Sequence, residues 1–387
     1  MTSTRSLASR ARRPLLAALV FLSSLTGASI SANAKAEEPP AVIRFGVSNA
    51  GVGNPPRVGT GWNAIAQQRG FIEEEFRNDK TKVEWIFFKG QGPAVNEALT
   101  NKQLDFTTLG DLPSIVGRSV GVPARLVLVT GRTNTYLIAR TGSGIEKFSD
   151  IRGKRIGLHK GTATQLAANR AFQRHKLTER DVKIVNLEPA ASLAAFQSGD
   201  LDAVFGSNNN LFLVDKGEGK VVYSTREEPT NNGQGHILVH EDFSAKYPET
   251  TKRVVKALLK AAHYTSEDVN RAEIIKLWAS AGRVTEAHYN WEYQGIPLAW
   301  RFSPLFDPYA VARNKQSVEE AFQYKLIRRK FDVDQWIDRR WLNAALKELQ
   351  LENYWTQFDA NGKPVRNTGV GRKPEQLGSN AAATQAR

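Results

Sequence analysis

The 387-residue chain contains no cysteine and a single methionine. Without cysteine there is no disulfide framework, no thiolate zinc site and no cysteine nucleophile. Other signatures of chemistry are missing as well. Six histidines are scattered at positions 159, 175, 236, 240, 263 and 288, and no HExxH pair occurs. His236 and His240 share the strand-like stretch GHILVH, where their spacing sets the rings about 13 Å apart, too far for one ion. No GxSxG elbow organises the serines, histidines and aspartates. The P-loop spacing GxxxxGK[ST] is absent, because Lys160 precedes Gly161 instead of following a second glycine. These absences predict a protein that is not an enzyme and that carries no cofactor and no metal.

Long apolar runs are scarce too. The one candidate lies at the start, where Arg5, Arg10, Arg12 and Arg13 precede PLLAALVFLSSLTGASI. Small residues follow in A-x-A spacing, at Ala32 and Ala34 and again at Ala34 and Ala36. The run is short and diluted by Ser, Thr and Gly, so it fits a cleavable secretory signal over residues 1–34 better than a membrane anchor. Cleavage after Ala34 or Ala36 and a soluble periplasmic protein are expected.

The formal charge is +14. The signal accounts for +4 of it, and the tail from Asn361 to Arg387, with five basic residues and one acid, for another +4. The tail is rich in Gly, Asn, Pro and Ala and is expected to be disordered. About +6 remains on the folded part, a mild field that suits anionic ligands, while export argues against nucleic acid. A monomer with no nucleic-acid partner is expected.

From Val42 to Val239, β-rich runs alternate with helical periodicity, the pattern of an α/β fold. Ten strands are expected, at 42–47, 82–88, 104–109, 124–130, 135–140, 154–158, 182–187, 201–205, 220–224 and 235–240. After Pro248 the pattern is mostly helical. RNKQSVEEAFQYKLIRRKFDVDQWIDRRW reads as an amphipathic helix packed on a lobe, with Trp336 and Trp341 in or near the core. ALTNKQLDFTTL (98–109) and AFQSGDLDAVFG (195–206) align in constant register, pairing Leu104 with Leu201 and Asp105 with Asp202. A repeat at that distance predicts two α/β lobes of similar plan. Breaks near Gly131–Thr135 and Asn231–Gly235 predict two crossovers between them. Hence lobe one is expected at 42–131, lobe two at 132–235, and a return to lobe one with C-terminal helices at 236–360. A cleft between hinged lobes is where a ligand would bind.

Loops at the C-terminal ends of strands face such a crevice. In HKGTATQLA, Gly161 lets a ligand approach the backbone, and Thr162 or Thr164 can cap the helix that follows. That helix N-terminus favours an anion, with Lys160 raising the local potential from outside. TLGDLPS repeats the logic at Gly110 and Asp111, where Asp111 serves as a cap or receives an ammonium. Ser48 and Asn49 end the first strand. Ser207, Asn208 and Asn209 follow LDAVF as a polar cluster or a turn. Trp62 either walls a pocket or packs in the core.

These residues resemble a known family. IRFGVSNAG, GPAVNEALTNKQLDFTTLGDLPSIVG, DIRGKRIGLHKGT and SLAAFQSGDLDAVFGSNN are similar to segments of the solute-binding proteins of ABC importers for aliphatic sulfonates, taurine and nitrate. The similarity runs from about Val42 to Leu259, and DIRGKRIGLHKGT is its most specific part. The resemblance implies a type II periplasmic binding fold: two α/β lobes, two hinge strands and a closing cleft, followed by a helical C-terminal part. It implies capture of a small organic oxyanion for delivery to a membrane permease. The ligand shell it implies is Ser48, Asn49, Gly110, Asp111, Gly161, Thr162, Ala163, Ser207 and Asn208. Some relatives carry a tryptophan where this chain has Ser207-Asn208-Asn209, which leaves the ligand's tail open. Other small molecules (nitrate, taurine, an aromatic acid, a pyrimidine precursor) and a ligand-presenting sensor are the alternatives.

Overall fold

A computed structural model of the protein describes residues 37–226, 232–280 and 282–365. The expected signal peptide lies outside these residues, as does the chain beyond Val365. Among the described residues no helix is long and apolar enough to cross a membrane. All ten expected strands form, with ends shifted by a few residues at most.

One sheet holds β1 (Val42–Val47), β2 (Lys82–Phe87), β3 (Phe106–Gly110), β4 (Ala124–Thr133) and β10 (Gly233–His240), in the order β2-β1-β3-β10-β4. The other holds β5 (Tyr136–Arg140), β6 (Arg155–Gly157), β7 (Lys183–Val185), β8 (Ala203–Gly206) and β9 (Gly219–Ser224), in the order β7-β6-β8-β5-β9. The plans coincide. β1 runs parallel to β2 and β3 as β6 does to β7 and β8, and β10 and β5 are the antiparallel members. Among the described strands, two connections pass from one sheet to the other. β4 passes to β5 through Asn134 and Thr135, and β9 returns to β10 through residues 225–232. Apolar clusters cover both faces of each sheet, one pair built around Phe45 and Leu126, the other around Phe172 and Phe196.

The internal repeat has a physical cause. Asp105 accepts from the Arg44 backbone amide at 2.7 Å and from Arg44 Nε and Nη2 at 3.0 and 2.6 Å. In the other sheet Asp202 accepts from the Arg155 amide at 2.8 Å and from Arg155 Nε and Nη2 at 3.3 and 3.0 Å. Each aspartate thus locks the strand opposite it in register. Leu104 and Leu201 lie over Gly46 and Gly157, where a Cβ would sit 2.5 and 2.6 Å from their Cδ1 atoms. The strand partners of the repeat are therefore Arg-x-Gly, which the aligned segments do not contain.

Two expectations need correction. The C-terminal amphipathic stretch is not one helix. Pro308–Gln323 is helical, Lys325 turns the chain with φ 60°, and short helices resume at Val333–Trp336 and Arg339–Glu348. Leu326 donates to Ala321 O at 2.8 Å, and the turn buries Ile327 and Val333 beside Trp336. Trp336 and Trp341 are buried, as expected. The ordered chain also continues past Asn361. Phe358 and Pro364 pair as an antiparallel bridge, and Val365 donates to Gln357 O at 2.8 Å.

His236, in the middle of β10, is wholly buried and meets Trp336 edge-on at 5.6 Å. Burial pushes its pKa down to about 3. An unfolded histidine titrates near 6.5, so below that pH the unfolded chain binds a proton that the folded chain refuses. Stability should fall as pH drops from about 6.5 toward 3. His236→Leu should remove about 1.4 kcal/mol per pH unit of that slope in urea melts between pH 6 and 4; an unchanged slope would contradict the assignment. Asp105→Ala and Asp202→Ala should each cost about 1–3 kcal/mol in the same melts at pH 7.

Candidate functional site

The loops at the C-terminal ends of β3 and β6 meet between the two sheets. Gly110 ends β3 and the helix Asp111–Val120 begins at once. On the other side the helix Ala163–Arg174 opens behind Gly161, whose φ of 77° requires glycine. A Cβ at Gly110 would sit 2.7 Å from Ala163 Cβ, and one at Gly161 would sit 3.1 Å from Pro93 Cγ. His159 Nδ1 and Gln91 Oε1 are hydrogen-bonded at 2.9 Å across the same line. The lobes are in contact here, with two helix N-termini pointed at the junction.

The turn after β6 is more fully bonded than its composition implies. The Gly161 amide donates to Gln165 Oε1 at 2.8 Å. Thr162 is the residue before the helix, but its hydroxyl donates back to His159 O at 2.7 Å and caps nothing. Lys160 does not lend free positive charge, because Nζ donates to Glu179 Oε2 at 3.0 Å. Ala163 is the cradle residue that Gly110 approaches most closely.

The nine expected ligand residues fall into two groups. Gly110, Asp111, Gly161, Thr162 and Ala163 are brought together at the junction. Ser48, Asn49, Ser207 and Asn208 follow β1 and β8, and no hydrogen bond among the described residues joins them to that group. Asn49 is exposed and accepts from Gly51 N at 2.8 Å; Ser207 is exposed and accepts from Asn209 N at 3.3 Å. Both are turn bonds made by the side chain on its own backbone. Trp62 lies wholly inside the lobe-one core.

Asp111 is buried, with Oδ1 accepting from Leu112 N at 2.7 Å. Burial raises its pKa, opposed by the positive charge of Arg170. No ammonium site forms there, because Arg170 Nη1 stands 3.6 Å from Asp111 Oδ2. Arg170 comes from the lobe-two helix. Its Nε donates to Glu320 Oε2 at 2.6 Å and its Nη2 to Ser317 Oγ at 2.7 Å, both on the helix Pro308–Gln323. Burial lowers the Arg170 pKa, and the charges of Asp111 and Glu320 outweigh it to leave the pKa raised. On the same C-terminal helix, Arg313 is also buried, and Asn314 Nδ2 donates to Gln234 Oε1 of β10 at 2.8 Å. The crossover after β4 is held similarly. Buried Glu292 accepts from Asn134 Nδ2 at 2.7 Å, from Arg301 Nη2 at 3.1 Å and from the Tyr136 hydroxyl. Burial, then the Glu292 charge, raise the Tyr136 pKa and keep its hydroxyl a donor.

Sequence reasoning missed these residues. A signal was present: Arg170 falls four residues after Leu166 and three after Ala167, on a stripe that is otherwise apolar and buried. Asn314 and Ser317 occupy the same kind of stripe beside Ala310 and Val318. A charged or polar residue on a buried stripe implies a partner from another element. Away from the junction, a cavity of about 270 Å³ opens beside Leu305, Leu342 and Leu346 on the lobe-one side.

Two lobes with a shared strand plan, joined by two crossovers around a junction of helix N-termini, define the two-lobed fold of periplasmic binding proteins. Residues 64–272 match the NMT1/THI5 like family, and the chain belongs to that family. An aliphatic sulfonates-binding protein of Bacillus subtilis is 25% identical over 295 residues, 73% of this chain and 84% of that one. The solved periplasmic sulfonate-binding protein SsuA of Methylobacillus flagellatus is 30% identical, with a TM-score of 0.68, covering 86% of this chain and all of that one. The desulfurization enzyme DszB, solved as a cysteine-to-serine variant with biphenyl-2-sulfinic acid, shares the fold at 17% identity and a TM-score of 0.59, over 80% of this chain and 100% of that one.

The contact between Gly110 and Ala163 yields a direct test. Gly110 has φ −74°, so a side chain is tolerated by the backbone and excluded only by the opposite lobe. Gly110→Val should fold but hold the lobes apart. Small-angle scattering should report a larger radius of gyration, and anion affinity should fall at least about tenfold, the factor a 1.4 kcal/mol penalty on the closed form produces. An unchanged scattering profile with unchanged affinity would show that this contact does not govern closure.

Proposed function

We propose that this protein is the periplasmic substrate-binding component of an ABC importer. It captures a small organic oxyanion, an aliphatic sulfonate, between its lobes and delivers it to a membrane permease. The observation that carries the reading is the junction itself. Two lobes linked by two short crossovers meet through loops that end β3 and β6, and buried guanidinium groups stand beside them. Membership of the family and the sulfonate-binding names of its relatives support the ligand class.

The mechanism is a population shift. Contacts that the ligand makes only when the lobes meet stabilise the closed form, and the permease reads that form. The expected ligand shell remains Ser48, Asn49, Gly110, Asp111, Gly161, Thr162, Ala163, Ser207 and Asn208, with Gly110, Asp111 and Ala163 nearest the junction. No bond is made or broken. The DszB fold hosts an enzyme that was studied with a cysteine replaced, whereas this chain has no cysteine at all. The expected export signal, residues 1–34, would be cut after Ala34 or Ala36, and either cut leaves Glu37 in place. That carboxylate accepts from the amides of Glu249 and Thr250 at 2.7 and 2.9 Å and so caps the helix Pro248–Ser266.

A thermal-shift screen of the mature protein tests the function. Sulfonates, taurine, nitrate, aromatic acids and a pyrimidine precursor are the compounds to compare. A ligand present at 100 times its Kd should stabilise the protein by about 2.7 kcal/mol. Aliphatic sulfonates should give the largest shift and remain chemically unchanged after incubation. A screen in which no oxyanion raises the melting temperature would sink the proposal.

A further inference from the structure

The backbone donors at the junction are partly engaged, since Gly161 N–H already serves Gln165. Two buried guanidinium nitrogens near it make no hydrogen bond, although Arg170 Nη1 lies 3.6 Å from Asp111 Oδ2. Arg170 is 5% exposed, and its Nη1 has no hydrogen-bond partner while Nε and Nη2 are bonded. Arg313 is 8% exposed; Nη1 donates to Gln316 Oε1 at 2.6 Å, and Nη2 has no partner. Leaving a charged buried donor unbonded is costly, more so than for a neutral one. Burial, and then the charge of Arg170, lower the Arg313 pKa. An acceptor carrying negative charge would satisfy both.

The carboxylates around them set a limit on that charge. Arg170 stands 3.6 Å from Asp111 and 2.6 Å from Glu320, and Arg313 precedes by one helical turn the Ser317 that Arg170 also bonds, so two guanidinium groups and two carboxylates share one place. The four formal charges cancel. One added negative charge meets two guanidinium nitrogens that make no hydrogen bond. A second would lie beside two carboxylates where water cannot screen them, and like charges in a poorly screened interior repel strongly.

We propose that Arg170 and Arg313 hold the anionic head group of the ligand, and that Asp111 and Glu320 restrict that head group to a single negative charge. This rests on the oxyanion-binding function above and names the residues that select the ligand within it. The head groups that fit are monoanions with several acceptor oxygens, such as a sulfonate, a carboxylate or nitrate. Sulfate and the phosphate dianion are excluded by charge, although their size and oxygens are similar.

Titration calorimetry on the mature protein at pH 8, with ethanesulfonate, acetate, nitrate, sulfate and inorganic phosphate as probes, tests this. At least one monoanion should bind, and sulfate and phosphate should bind about 100-fold more weakly. Arg170→Gln and Arg313→Gln should each weaken the monoanion about 30-fold, the loss expected for a charged hydrogen bond. Asp111→Asn should narrow the gap between sulfate and the monoanion about tenfold. Arg170 also ties elements together, so circular dichroism and the ligand-free melting temperature accompany each variant. If Arg170→Gln does not fold, Arg313→Gln decides, since that residue's one hydrogen bond is to Gln316 of its own helix. Binding by folded Arg313→Gln within threefold of the parent protein overturns the inference while leaving the oxyanion function intact. Sulfate binding as tight as ethanesulfonate overturns the charge restriction. Failure of every probe to bind the parent protein overturns the oxyanion function and this inference together.

Discussion

Arg170 leaves the helix that follows β6 and ends between Asp111 of the first lobe and Glu320 of the C-terminal helix. Three parts of the chain that share no sheet are thereby held by one buried cation. Such a group is tolerated only with partners. Breaking a buried ion pair by removing one side costs about 3–5 kcal/mol, because the survivor keeps its charge without compensation. The arrangement therefore ties the position of lobe two to lobe one and to the C-terminal third at the same time. The contact of Gly110 with Ala163 and the bond of His159 with Gln91 lie along the same junction.

Each lobe is braced in the same way. Arg44 with Asp105, and Arg155 with Asp202, clamp equivalent strands by equivalent bonds. The clamps lie within the sheets and do not cross between them, so the sheets can move as bodies. What can move is the pair of crossovers, and the one after β4 is steadied by Glu292 through Asn134, Tyr136 and Arg301. The C-terminal helices thus do more than cover lobe one. They carry Glu292, Arg313, Ser317 and Glu320, four residues that meet the hinge or the junction.

The strands were legible because their signals are local. β-Branched and aromatic runs bounded by Gly, Asn and Pro reflect backbone preference and burial that each segment carries by itself. The repeat was legible too, since Leu104-Asp105 and Leu201-Asp202 stand in the same register. Its meaning was not, because Arg44 and Arg155 lie in segments that look dissimilar around them. The candidate site was half legible. Gly110, Asp111 and Gly161 could be named because helix starts after strands follow a rule of topology, and Ala163 through the family resemblance. Thr162 and Lys160 were assigned roles that their neighbours took away, through His159 O and Glu179.

The long C-terminal helix expected from apolar spacing also fails for a reason outside its own segment. Lys325 adopts a left-handed conformation so that Ile327 and Val333 can reach the cluster around Trp336. Periodicity cannot report that, since it measures a preference and not the shape of the surface to be covered. By itself, then, the sequence determined the α/β pattern, the duplicated lobe plan and the turns that open toward a cleft, all consequences of short-range preference and spacing. Only the tertiary structure decided which charges share the junction. Arg170, Asp111, Arg313 and Glu320 are separated by as many as 209 positions, and their meeting is set by how the lobes and the C-terminal helix pack, where burial makes each charge depend on the others.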